Sequence, residues 1–175
     1  MRTILATTCA TIGLVGIAQA QPVSDQDYMK RVMKAAPPQI VADATVVRMQ
    51  GGAMQTLKKG TNEWTCMEPM ENVPMCLDPN AMEWSHAWAT KGPVPDKTGF
   101  IYMLAGDTGG SNTDPWATTK TADNHWIQTG SHVMIVGAAT KTMSMGYQQS
   151  ADPDPTKPYI MWPGSPYAHL MIPVK

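Results

Sequence analysis

Cys66 and Cys76 bracket the segment MEPMENVPM, and this pair constrains the fold more than any other feature of the chain. Pro69 and Pro74 keep the intervening residues out of a helix and stiffen the loop before any crosslink forms. The spacing fits neither a Cys-x-x-Cys redox motif nor a zinc knuckle. Met67, Met70 and Met75 raise a second reading, a soft-metal trap, because thiolates and thioethers both select soft ions. A disulfide would consume both thiolates and stabilise the fold by about 2–3 kcal/mol through closure of a short loop. Which reading holds depends on the compartment.

The amino terminus points to export. Arg2 supplies a basic start, Ile4 to Ile17 are mostly apolar, and Ala18-Gln19-Ala20 is a small-x-small cleavage site. Residues 1–20 are therefore expected to be a signal peptide cut after Ala20, which would carry Cys9 away. Residues 21–175 are then a periplasmic or secreted chain with two cysteines, and an even pair there is expected to form the Cys66–Cys76 disulfide. No later segment is long and apolar enough to span a membrane. Without Arg2 the chain has 12 basic and 14 acidic side chains. No cluster of Lys and Arg stands out, so nucleic acid is not an expected partner.

The pattern along the chain predicts a single α+β domain over residues 21–175, with helices first and a mainly antiparallel sheet behind. Ser24 or Asp25 caps a short helix through Tyr28, Met29, Val32 and Met33. Pro37-Pro38 begins a second helix, with Ile40, Val41, Ala44 and Val47 at helical spacing. Met54 to Leu57 and Glu63 to Met67 read as strands around a Lys-Lys-Gly turn. Asp78 and Pro79 start a helix that reaches about Thr90, with Trp84 and Trp88 on one face. Short strands follow at Phe100 to Leu104, Trp126 to Gln128, Val133 to Val136, Tyr159 to Trp162 and Leu170 to Val174.

Methionine is the compositional anomaly: fifteen residues against a single phenylalanine. As a flexible apolar side chain it can fill a core in place of other large residues. Two places suggest more. Ser131-His132-Val133-Met134 and Ala168-His169-Leu170-Met171 both contain His-x-Met, and residues two apart on a strand share a face. Val133, Ile135, Leu170, Ile172 and Val174 form the opposite, apolar face, which reads as the core side. His132, Met134, His169 and Met171 would then point toward another layer or a cavity. If their strands are neighbours, these four soft or borderline donors can hold Cu(I). Met143-Ser144-Met145 has the same period and is a candidate fifth contribution. The competing reading is two buried histidines satisfied by hydrogen bonds. His86 sits four residues after Met82 on the predicted helix, and His125 reads as a loop residue.

Asp107-Thr108-Gly109 resembles the aspartic-protease triplet, whose chemistry needs two facing carboxylates. The chain has one such triplet, and GDTGGSN also reads as an ordinary turn. Asp107, Ser111, Asn112 and Asp114 can alternatively cup a calcium ion, although not at EF-hand spacing. Walker, nucleophile-elbow, His-Glu-x-x-His and haem-attachment motifs are missing.

The closing segment PYIMWPGSPYAHLMIPV, with WTCM and PMCLD upstream, resembles a group of exported bacterial proteins of unassigned function. That resemblance implies a cell-envelope setting and no particular activity. His-x-Met is also similar to part of the motif of periplasmic copper chaperones with a cupredoxin-like sandwich, whose upstream Met or His ligands have no counterpart before His132 or His169. The expected function is thus a non-enzymatic binding protein, with copper or another soft metal as ligand. The alternative is a structural or interaction module of the envelope that meets a protein partner through its tryptophans. A hydrolase built on the Asp107 loop is the third reading, and it requires a histidine or second carboxylate to reach Asp107.

Overall fold

The structure is a computed structural model describing residues 23–174. The signal-peptide assignment to residues 1–20 lies outside the described residues. Helix α1 spans Asp25–Val32 and α2 Pro38–Val41, followed by strands β1 Thr45–Gln50, β2 Ala53–Lys58, β3 Thr65–Met67 and β4 Met75–Leu77. Helix α3 is Pro79–Thr90. Strands β5 Thr98–Met103, β6 Gly110–Ser111, β7 Trp126–Ile127 and β8 His132–Gly137 come next. Helix α4 (Thr140–Met143) and a 3-10 turn (Ser144–Gly146) precede β9 Tyr159–Met161 and β10 His169–Pro173.

Local chemistry explains the helix boundaries. Ser24 Oγ accepts the Asp27 amide at the start of α1. Asp78 does the same for Ala81 at the start of α3, with Pro79 supplying a first-turn residue that needs no amide hydrogen. The second helix is shorter than its apolar spacing predicts, because Thr45–Gln50 is a strand rather than a helical continuation. Val46 and Val47 face opposite sides there, each buried in a different core cluster. Packing on both faces favours the extended β-branched pair over the helical reading.

Eight strands form one sheet in the order β2-β1-β3-β4-β5-β8-β10-β9. Of these neighbours only β1 and β3 run parallel. Cys66 and Cys76 are directly opposed on β3 and β4 and joined by a disulfide. The crosslink lies with Tyr28, Val32, Ala35 and Val46 on the sheet face covered by α1. The opposite face packs against α3 through Ala81 and Trp84. The β6 strand is tied to the residue following β9 by Trp162 Nε1–H donating to the Ser111 carbonyl at 2.8 Å.

Gly99 sets how closely α3 approaches. A Cβ there would lie 2.4 Å from the Ala81 backbone nitrogen, so helix and strand are in backbone contact. Gly99→Ala should push them apart and destabilise the fold by about 1–3 kcal/mol, the usual cost of overpacking. Urea denaturation checks this, and an unchanged midpoint would mean that α3 does not seat on Gly99.

Candidate functional site

Strands β8 and β10 pair antiparallel, with Met134 opposite Met171 and His132 opposite Pro173. Alternation then puts His132, Met134, His169 and Met171 on one face of two adjoining strands. This face is the buried one. All four side chains are buried; on the opposite face Leu170 is buried too, while Val133, Ile135, Ile172 and Val174 are partly exposed. The expectation that the His and Met side chains turn away from the core is therefore corrected: they face α3, and the aliphatic face of these strands is the less covered one. Both faces are apolar enough to be buried, and the seat that Gly99 makes for α3 decides between them.

The neighbouring strands extend the pattern. Met103 on β5 lies beside His132, and Met161 on β9 lies beside His169. Between the histidines runs a row of Ile101, Met134, Met171 and Tyr159. His132 is diagonal to Met171 and His169 to Met134, within reach of a long thioether side chain. The two histidines stand four residues apart along the strand direction, about 13 Å at the backbone, so the methionine pair separates them. Met103 and Met161 could not be assigned to this group from the sequence, because strand order alone makes them neighbours of the histidines.

Each imidazole is fixed in the same way. His132 Nδ1 is 2.7 Å from the Gly130 carbonyl and His169 Nδ1 is 3.0 Å from the Tyr167 carbonyl. A carbonyl only accepts, so both Nδ1 atoms carry the proton and both Nε2 atoms present a bare lone pair. Neither Nε2 has a hydrogen-bond partner, and both are buried. His169 meets Trp84 and Trp162 edge-on, with centroids 5.3 and 4.8 Å away. His132 Nε2 is 4.0 Å from Asp107 Oδ2, beyond a hydrogen bond but close enough for charge to be felt.

Burial sets the protonation states. It pushes His169 down to about 4, against a weaker opposing effect of the Tyr167 hydrogen bond. It lowers His132 as well, and the Gly130 carbonyl and Asp107 oppose that shift. Asp107 moves upward because burial outweighs the amides of Thr129 and Gly109 that donate to its Oδ1 and the nearby His132. Tyr159 rises to about 12 for the same reason, although its hydroxyl shares a hydrogen bond with Thr129 Oγ1 at 2.8 Å. At neutral pH the face therefore presents two uncharged imidazoles as donors.

The remaining candidates fall elsewhere. Met143 and Met145 lie on α4 and the 3-10 turn, both exposed, so Met143-Ser144-Met145 adds no strand-like pair to the buried face. His86 is exposed on α3. His125 Nδ1 pairs with Asp152 at 2.9 Å in a loop. Cys66 and Cys76 are on the opposite face of the sheet and crosslinked, which removes them as ligands. Asn112 is buried with its amide donating to the Ser150 and Ala151 carbonyls, and Ser111 Oγ accepts the Thr113 and Asp114 amides. Ser111 thus serves the loop's own turn, whereas Asn112 ties the loop to Ser150, Ala151 and the Trp162 amide. Among the described residues no three His, Cys, Asp or Glu side chains are grouped to hold a metal ion; a metal on this face would need thioether as well as imidazole ligands. No family model, curated protein or solved structure matches the chain.

The buried histidines make stability depend on pH. A histidine whose folded pKa lies below its unfolded value of about 6.5 favours the fold when neutral, and that stability is lost as the pH falls through this window. For His169 the loss runs from about pH 6.5 down to about 4, with a slope approaching about 1.4 kcal/mol per pH unit. Asp107 opposes it, because its folded form takes a proton more readily than the unfolded chain does. Denaturant titrations should show lower stability at pH 5 than at pH 7, with a smaller difference in His169→Leu. An identical difference in that variant would contradict a neutral, buried His169.

Proposed function

We propose that this chain is an exported, single-domain, non-enzymatic binding protein that takes Cu(I), with His132, Met134, His169 and Met171 as the ligand set. One observation carries the reading. Both histidines spend their Nδ1–H on a backbone carbonyl and leave a buried, unpartnered Nε2 on the same face as two adjacent thioethers. Metal-binding histidines are commonly oriented by this kind of second hydrogen bond, and imidazole with thioether is a donor set suited to a soft ion. An unpaired buried acceptor is otherwise costly, so two of them flanking a methionine pair favour a ligand over simple core filling.

A competition titration of the oxidised protein against a Cu(I) chelator tests it. Stoichiometric binding is expected, weakened at least tenfold in His132→Ala/His169→Ala and in the volume-conserving Met134→Leu/Met171→Leu. Unchanged affinity in both double variants would overturn the proposal.

A second reading has its own support. Trp116 is exposed, and Trp88 and Trp162 are only half-buried while stacked on one another with centroids 5.7 Å apart. This aromatic surface suits an interaction module of the cell envelope that meets a protein partner without metal. The Asp107 reading keeps one of its requirements, a histidine near the carboxylate, since His132 Nε2 lies 4.0 Å from Oδ2. The hydrogen bonds that Asp107 Oδ1 accepts come from the Thr129 and Gly109 amides, and among the described residues the facing carboxylate of an aspartic protease is not beside it.

A further inference from the structure

Buried methionines can be explained as fillers, but among the described residues six of the ten large apolar side chains left exposed are also methionines. Core filling does not account for those. Two of them, Met49 and Met54, are directly opposed across the β1–β2 hairpin. Directly opposed side chains have their Cβ atoms about 5 Å apart on one face, a spacing at which two thioethers can clasp one ion.

The position of this pair is as informative as its composition. Met49 shares its face with Val47, two residues earlier on β1, and Val47 belongs to the core cluster on the α3 side of the sheet. Continued by one residue, the parallel register of β1 and β3 sets Val47 beside Met67, which leaves Met67 diagonal to Met49, within reach of long side chains. Met67 is directly opposite Met75. The β4–β5 register continues to place Met75 beside Met103, and Met103 is opposite His132. Three thioethers therefore stand side by side across neighbouring strands, ending on a buried imidazole, with strands spaced about 5 Å apart. Exposure is 56% at Met54 and 46% at Met49, drops to 8% at Met67, is higher again at the partly buried Met75, and is 4% at Met103 and 0% at His132.

A donor set as deeply buried as His132 and His169 needs a route for its ion. We infer that Met49 and Met54 form a surface capture site for Cu(I), and that Met67, Met75 and Met103 pass the ion inward to His132. The inference rests on the buried site proposed above and supplies its loading path. Each step is ligand exchange: one copper–sulfur bond forms as another breaks, until at the last step a copper–nitrogen bond to His132 Nε2 replaces one to Met103; the ion stays Cu(I), and no electron or proton is transferred. Neutral thioethers suit such a path, since weak, similar ligands at short intervals give no step a deep trap.

Ag(I), a diamagnetic soft ion of the same charge, separates the possibilities when added to oxidised protein carrying 13C-labelled methionine methyl groups. Expected are shifts of the Met49 and Met54 methyls at the first additions, and of Met134 and Met171 as the buried site fills. In Met49→Leu/Met54→Leu, both exposed and so harmless to the core, the buried site should fill to the same final extent at least tenfold more slowly. Wild-type filling rates in that variant would overturn the path while leaving the buried site standing. Shifts at Met49 and Met54 with none at Met134 or Met171 would overturn delivery and the buried site together. No response at Met49 and Met54 would overturn the capture site whatever the buried methyls do.

Discussion

The antiparallel pairing of β8 with β10 decides which side chains share the buried face. Strand geometry permits only two faces, so one register fixes where two histidines and two methionines stand together. A slip by one residue would turn His132 and Met134 to the aliphatic side and separate them from His169 and Met171. Helix α3 then determines what that face becomes. Its close seat on Gly99 brings Ala81 and Trp84 over the strands, and Trp84 meets the His169 ring edge-on; both imidazoles are fully buried, which favours their neutral forms.

This arrangement has an energetic asymmetry. Most of the covered face is apolar and gains from burial in the ordinary way. The two Nε2 atoms do not, since each loses water and receives no donor in return. Tryptophan edges around His169 supply packing and no hydrogen bond to that atom. The crosslink between Cys66 and Cys76, on the other face, contributes stability independent of the histidine face and leaves neither of these two cysteines as a free thiolate. The crosslink and the histidine face thus lie on opposite sides of one sheet, each within its own apolar cluster.

Much of this was legible in the sequence, for identifiable reasons. Asp78-Pro79 marked the start of α3 because capping chemistry is local, and His-x-Met marked shared faces because strand alternation is local. Three things were not local. Val133 and Ile135 looked like the core side because they are apolar, whereas the choice of face was made by Gly99 and Ala81 in distant elements. Thr45–Gln50 looked helical because Ile40, Val41, Ala44 and Val47 also satisfy a 3.6-residue period. Met75–Leu77 is a three-residue strand between Pro74 and Asp78, too short to announce itself. The sulfur row from Met67 to Met103 needed strand order, which no single segment encodes.

The sharpest measurement is the coordination shell of the bound ion itself. X-ray absorption at the copper edge of the oxidised, Cu(I)-loaded protein should reveal nitrogen and sulfur together, with the sulfur contribution diminished in Met134→Leu/Met171→Leu. A shell of light atoms alone, or sulfur scattering unaffected by that double substitution, would contradict ligation by the buried histidine–methionine face.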